Sequence, residues 1–79
     1  ADKFQLKIYQ EELKKNGINA TYFLGYRNRI KEIVRICKEQ NADLLILGAH
    51  GHKGFLDFVY GQTIESVRHE LDIPILIVK

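Results

Sequence analysis

The hydrophobic and polar positions along the chain follow two periods, one typical of helices and one typical of strands. Apolar residues recur at helical spacing from Lys3 to Asn16, where Asn16 and Gly17 predict a left-handed stop. From Ile18 to Leu24 the apolar residues instead alternate with period two, and β-favouring types dominate. The first third of the chain is therefore predicted to form a helix and then a strand.

The same succession continues to the carboxyl end. A second helix is predicted from a cap at Asn28 to about Gln40, with an inward stripe of Ile30, Ile33, Val34 and Cys37. The short unalternating run 43–47 predicts a parallel strand that is buried on both faces. A third helix is predicted over residues 63–71, and a last strand over 75–78 follows Pro74. This order predicts an α/β fold with an open parallel sheet of three strands alternating with three helices.

Length and composition limit the functional class. The 79 residues form one small domain with a marginal core, and 46% apolar and 28% charged residues are typical of folded globular proteins. The longest apolar runs are far shorter than the roughly 20 residues of a membrane-spanning helix, so no direct membrane insertion is expected. A scattered net charge of +2 predicts no nucleic-acid surface. The single cysteine, Cys37, excludes an internal disulfide and favours a reducing, cytoplasmic setting.

Three glycines follow the second predicted strand and are the strongest candidates for a binding site. Gly48 lies directly at the carboxyl end of the strand, where open α/β sheets bind ligands. Gly48 and Gly51 could expose successive amide groups to an anion, and Gly61 opens a helix whose unpaired amides favour phosphate. The spacing matches neither a Walker loop nor the dinucleotide pattern G-x-G-x-x-G. The alternative that these glycines only serve tight turns, with no ligand, stays open.

Gly48 and Gly51 lie within the stretch ADLLILGAHGHKG, and Gly61 begins the stretch GQTIESVRHELDIPILIVK, so the glycine spacing is Gly48-x2-Gly51-x9-Gly61. This combination resembles the nucleotide-binding signature of the universal stress protein family. The resemblance implies a regulatory module that binds ATP or AMP without catalysis. Gln62 departs from the Ser or Thr that usually follows the third glycine, which puts triphosphate binding in doubt. The residues that the resemblance implies at the nucleotide are Leu47, Gly48, His50, Gly51, Gly61, Gln62 and Thr63.

The resemblance covers only part of a family domain. Members have a five-stranded parallel sheet of order 3-2-1-4-5, and residues 1–79 resemble a partial domain that lacks the first two strands and the first helix. In that order the strand equivalent to 18–24 is not a neighbour of the one equivalent to 44–47. Either the three strands pair directly, or another copy supplies neighbours. A homodimer, joined through the last strand as in the family, is favoured, and nucleotide binding by this chain alone is expected to be weak or absent.

The sequence is also consistent with functions other than nucleotide binding. Family domains also occur as cytosolic tails of membrane transporters, including bacterial metal-ion transporters of the Nramp type. The chain does not begin with methionine, which is consistent with an excised fragment, such as one cut from such a tail, or with a processed product. The alternative function is therefore a nucleotide-free dimerisation or interaction domain of a larger parent protein such as a membrane transporter. His50, His52 and His69 lack further ligands at a convincing spacing, so no metal site is predicted. No base or magnesium carboxylate accompanies the glycines, so no enzymatic activity is predicted.

Overall fold

A computed structural model of the chain describes residues 2–24, 30–48 and 62–78. Within these ranges three helices alternate with three strands, which confirms the predicted α/β order. None of the helices in this part of the chain is long and apolar enough to cross a membrane. The elements are α1 (Lys3–Lys15), β1 (Ala20–Leu24), α2 (Ile30–Glu39), β2 (Leu44–Gly48), α3 (Gln62–Leu71) and β3 (Ile75–Val78).

Both ends of α1 are capped by local hydrogen bonds. The Asp2 carboxylate accepts a 2.8 Å hydrogen bond from the Gln5 amide, which satisfies one of the free donors of the first turn. At the other end Gly17 has a φ of +78°, a left-handed conformation that glycine adopts without strain. The predicted stop at Asn16 and Gly17 is thus confirmed, whereas the predicted cap at Asn28 lies outside the described residues.

The three strands pair directly, in the order β1-β2-β3, and both pairs are parallel. Ala20 lies opposite Leu44, and Leu24 lies opposite Gly48. This pairing differs from the order that the family resemblance implies, in which strands equivalent to β1 and β2 are separated. The physical reason is that β2 has hydrogen-bonding groups on both sides, and β1 satisfies the side that would otherwise be unpaired.

Helices cover the two faces of the sheet unequally. One face is covered by α2 and α3 and forms the larger core cluster, which includes Ile33, Leu45 and Val67. The other face is covered by α1, which packs chiefly on β1 and places Leu6 against Ala20 and Ile46. Leu76 shares this second face because it lies opposite Ile46 in the β2–β3 register, and it is 42% exposed. On this face of β3, Val78 still packs on the smaller core cluster, whereas Leu76 is left exposed.

A group of hydrogen bonds made by Asn19 and Asp43, here called the β1 clasp, fixes β1 against the start of β2. The Asn19 amide donates to the Asp43 carboxylate at 2.9 Å, and the Asp43 amide donates to the Asn19 carbonyl at 2.6 Å. The Asn19 side chain also donates to the carbonyls of Gln40 and Asn41, at 2.7 and 3.1 Å. These bonds tie the turn after α2 to the entry of β1, so they select the register in which the two strands pair.

Candidate functional site

The carboxyl ends of the three parallel strands meet at one edge of the sheet, where Leu24, Gly48 and Val78 end β1, β2 and β3. The chain leaves β2 at this edge and enters β3 at the opposite one, so α3 runs antiparallel to the strands and its first turn points toward the same edge. The structure therefore places Gly48 and the start of α3 at the edge where open α/β sheets bind ligands.

The predicted site residues differ in how far the structure describes them. Leu47 is 1% exposed, and its side chain belongs to the core cluster under α2 and α3, so only its backbone faces the edge. Gln62 and Thr63 form the first turn of α3. His50, Gly51 and Gly61 lie outside the described residues.

Gly48 packs tightly against α1. A methyl group built on its Cα would lie 2.6 Å from Leu6 Cδ1 and 3.2 Å from both Leu6 Cδ2 and Leu24 Cδ1. Among the described glycines a positive φ occurs at Gly17 and not at Gly48. The backbone conformation at position 48 therefore does not require glycine. The close approach of the Leu6 side chain is what favours glycine there.

Leu6 is the residue at this edge that the sequence analysis did not identify. It is fully buried and centres the smaller core cluster, together with Ala20 and Ile46. The position of Leu6 in the apolar stripe of α1 predicts that its side chain is buried. The stripe does not show which strand that side chain covers. The Leu6 side chain fills the space that a side chain at position 48 would take.

Two surface depressions in the described residues lie at the opposite, amino edge of the sheet. One, of about 410 Å³, is lined by Glu65, Arg68, His69, Asp72, Ile73 and Pro74. The other, of about 510 Å³, is lined by Gln10, Glu11, Lys14, Gly17, Ile18, Asn19 and Ala20. In the first, Arg68 pairs with Glu65 at 3.2 Å across an exposed turn of helix. Neither depression adjoins the glycine edge.

The described part of the chain contains no site suited to metal binding or to thiol chemistry. No three His, Cys, Asp or Glu side chains there are grouped so that they could hold a metal ion. His69 lies in the depression beside α3, whereas His50 and His52 lie outside the described ranges. Cys37 is buried in the larger core cluster, and this burial raises the pKa of its thiol, which keeps the sulfur protonated and unreactive.

Comparisons with known proteins place the chain in one family. The family model described as the universal stress protein family matches residues 1–79. Over 77 residues the chain is 33% identical to universal stress protein MJ0577 of Methanocaldococcus jannaschii, a match that covers 98% of this chain and 48% of that protein. Over 67 residues it is 33% identical to universal stress protein Slr1230 of Synechocystis sp., covering 85% of this chain and 23% of that protein. The chain thus spans about half the length of the first relative and about a quarter of the second. No solved structure gives a significant match.

Proposed function

The chain belongs to the universal stress protein family, and from this premise we propose that it is a regulatory module that binds an adenine nucleotide, ATP or AMP, without catalysing a reaction. The observation that carries the proposal is the meeting of Gly48 and the first turn of α3 at the carboxyl edge of the sheet. The first amides of a helix have no partner within it, and the helix dipole adds a partial positive charge there. Both features favour a phosphate group at the start of α3.

Each proposed contact follows from a position in the glycine pattern. Leu47 offers only backbone groups to the ligand, because its side chain is buried in the core. The backbone of Gly61 and the amides of Gln62 and Thr63 hold the phosphate tail. The proposed site consists of Leu47, Gly48, His50, Gly51, Gly61, Gln62 and Thr63.

The proposed affinity of this chain alone is low. The chain spans about half the length of the relative from Methanocaldococcus jannaschii, which supports the interpretation of residues 1–79 as a partial domain of a larger parent protein. The strands that it lacks would supply the rest of the site, and Leu6 already fills the space over Gly48. The unpaired, buried Cys37 supports a reducing, cytoplasmic setting.

A second candidate function is a nucleotide-free interaction domain that dimerises through β3, alone or within a parent protein such as a membrane transporter. The Leu45 amide donates to the Pro74 carbonyl at 3.1 Å, so alternation along the strand directs the backbone groups of Ile75 and Ile77 away from β2. Leu76 beside them is 42% exposed. Two copies could therefore join their β3 edges around a two-fold axis and cover this leucine.

Calorimetric titration separates the two functions. We expect ATP or AMP to bind this chain alone only weakly, with the Gln62→Ser variant binding ATP more tightly because it restores the hydroxyl residue of the family signature. Micromolar binding corresponds to about 8 kcal/mol, well within the range of calorimetry. If neither the chain nor the variant releases heat with millimolar nucleotide, nucleotide binding by this chain is refuted.

Analytical ultracentrifugation tests the alternative. A dimer joined at β3 should dissociate in the Leu76→Asp variant, whereas Phe4→Asp is the matched control because Phe4 is 73% exposed on α1, away from that edge. Equal sedimentation of both variants and the parent chain would exclude the β3 dimer.

A further inference from the structure

We infer that the amino-terminal half of α1 is an autoinhibitory plug, in which the Leu6 side chain occupies the space over Gly48 that a bound nucleotide would need. The inference rests on the proposed function. Both methyl groups of Leu6 lie within 3.2 Å of the position that a Gly48 side chain would take. A ligand that approaches the Gly48 backbone from this face must displace Leu6 first.

The direction of approach follows from the sheet. Side chains of successive strand residues point to opposite faces, so the empty side-chain position of Gly48 lies on the same face as Ile46, the face covered by α1. A missing Cβ helps a ligand only on the face where the Cβ would have projected. On that face the nearest atoms belong to Leu6 and Leu24.

Two separate sets of contacts hold α1 on the sheet, one around Leu6 and the other around Gln10 and Leu13. Near its start Leu6 is the buried residue, while Phe4 is 73% exposed and Ile8 is 42% exposed. Farther along, the Gln10 side-chain amide donates to the Ala20 carbonyl at 2.8 Å, and Leu13 packs on the same core cluster. Displacing Leu6 therefore exposes one buried side chain, while the separate contacts of Gln10 and Leu13 still hold the rest of the helix in place.

The plug lowers affinity by limiting how often the site is open. When the binding-competent state is a fraction of the population, the apparent dissociation constant equals the intrinsic constant divided by that fraction. Shortening Leu6 removes the atoms that compete with the ligand and so raises the open fraction. A variant that shortens a leucine elsewhere on α1 leaves the competition unchanged.

The test compares ATP binding to the parent chain, Leu6→Ala and Leu13→Ala by calorimetry, with far-UV circular dichroism as the check of folding. Both variants lose the same atoms from the same helix and the same core cluster, but Leu13 lies about 10 Å farther along the helix axis from Gly48. We expect Leu6→Ala to bind ATP at least about tenfold more tightly than the parent chain, and Leu13→Ala to show no gain. If Leu6→Ala does not fold, Leu6→Val carries the same comparison, because its methyl groups are held closer to the helix backbone.

The possible outcomes separate the plug from the proposed function. Equal affinity of the parent chain and the Leu6 variant would overturn the plug and leave nucleotide binding intact. A gain in Leu13→Ala as large as that in Leu6→Ala would also overturn it, because general loosening of the helix would then be the cause. No ATP binding by any variant, including the folded Leu6 variant, would refute the nucleotide function and the plug together.

Discussion

Replacing Gly48 with alanine is the sharpest test of the packing at the sheet edge. The new methyl group would lie 2.6 Å from Leu6 Cδ1, a separation that real side chains do not tolerate, and 3.2 Å from Leu24 Cδ1. Leu6 is fully buried, so its side chain cannot turn outward into solvent to make room. The variant therefore forces a shift of α1 or an unfavourable rotamer of Leu6.

The expected loss of stability follows from two opposing effects. Inserting a methyl group into a packed core costs about 1 to 3 kcal/mol, and replacing glycine in a strand regains about 0.5 to 1 kcal/mol. The net loss should therefore lie between about 0 and 2.5 kcal/mol. In a domain of this size each kcal/mol lowers the melting temperature by about 4 to 8 °C. In the Leu6→Ala background the space is open, so the same substitution should cost little or become favourable.

Urea denaturation of the four proteins in this double-mutant cycle measures the coupling between Gly48 and Leu6, which we expect to equal the packing cost of about 1 to 3 kcal/mol, because the glycine effect cancels. Gly17→Ala is the matched control. It has no atom within 4 Å of the added methyl group but a φ of +78°, so it should lose stability through backbone strain alone, equally in the parent chain and in the Leu6→Ala background. A Gly48→Ala loss that is the same in both backgrounds would refute the assignment of the strain to Leu6.

Three further predictions concern the rest of the fold. Asn19→Ala removes two side-chain hydrogen bonds of the β1 clasp and should cost about 1 kcal/mol in urea denaturation, with no loss meaning that the clasp does not hold the register. Arg35→Ala breaks an exposed 3.0 Å ion pair with Glu39 and should cost less than about 0.5 kcal/mol; a loss above about 1 kcal/mol would contradict this. Burial raises the pKa of the Cys37 thiol, so the folded state holds the thiol proton more tightly than the unfolded state does. The stability of the parent chain should therefore fall, relative to that of Cys37→Ala, as the pH rises past the ordinary thiol pKa. Parallel denaturation at about pH 8 and about pH 10 checks this, and identical pH profiles would disprove it.

Local features of the sequence were sufficient to predict the helices and strands. The stop after α1 could be read from Asn16 and Gly17 because a left-handed residue there is a local requirement of the chain. The unalternating run of β2 indicated burial on both faces, and Leu45, Ile46 and Leu47 are all buried. Each of these predictions depends on residues that are neighbours in sequence.

Strand order could not be derived in the same way. A hydrophobic period shows which face of a strand is buried, but not which strand lies beside it. The pairing of β1 with β2 depends on contacts between distant residues, above all those of Asn19 with Asp43. The contact between Leu6 and Gly48 escaped prediction for the same reason. A glycine after a strand indicates space for a group without showing which group fills it.

The strand order and the filled site have a single physical cause. Direct pairing of β1 with β2 satisfies the backbone groups of β2, and because α1 packs chiefly on β1, the same pairing brings Leu6 over Gly48. Adjacent strands are about 4.8 Å apart, so two further strands between β1 and β2, as the family order implies, would move β1 by about 10 Å and carry α1 with it. Leu6 would then leave Gly48, and the space over the glycine would open. In this chain the arrangement that completes the sheet is therefore also the one that closes the proposed site, so stabilising the β1–β2 pair should weaken nucleotide binding.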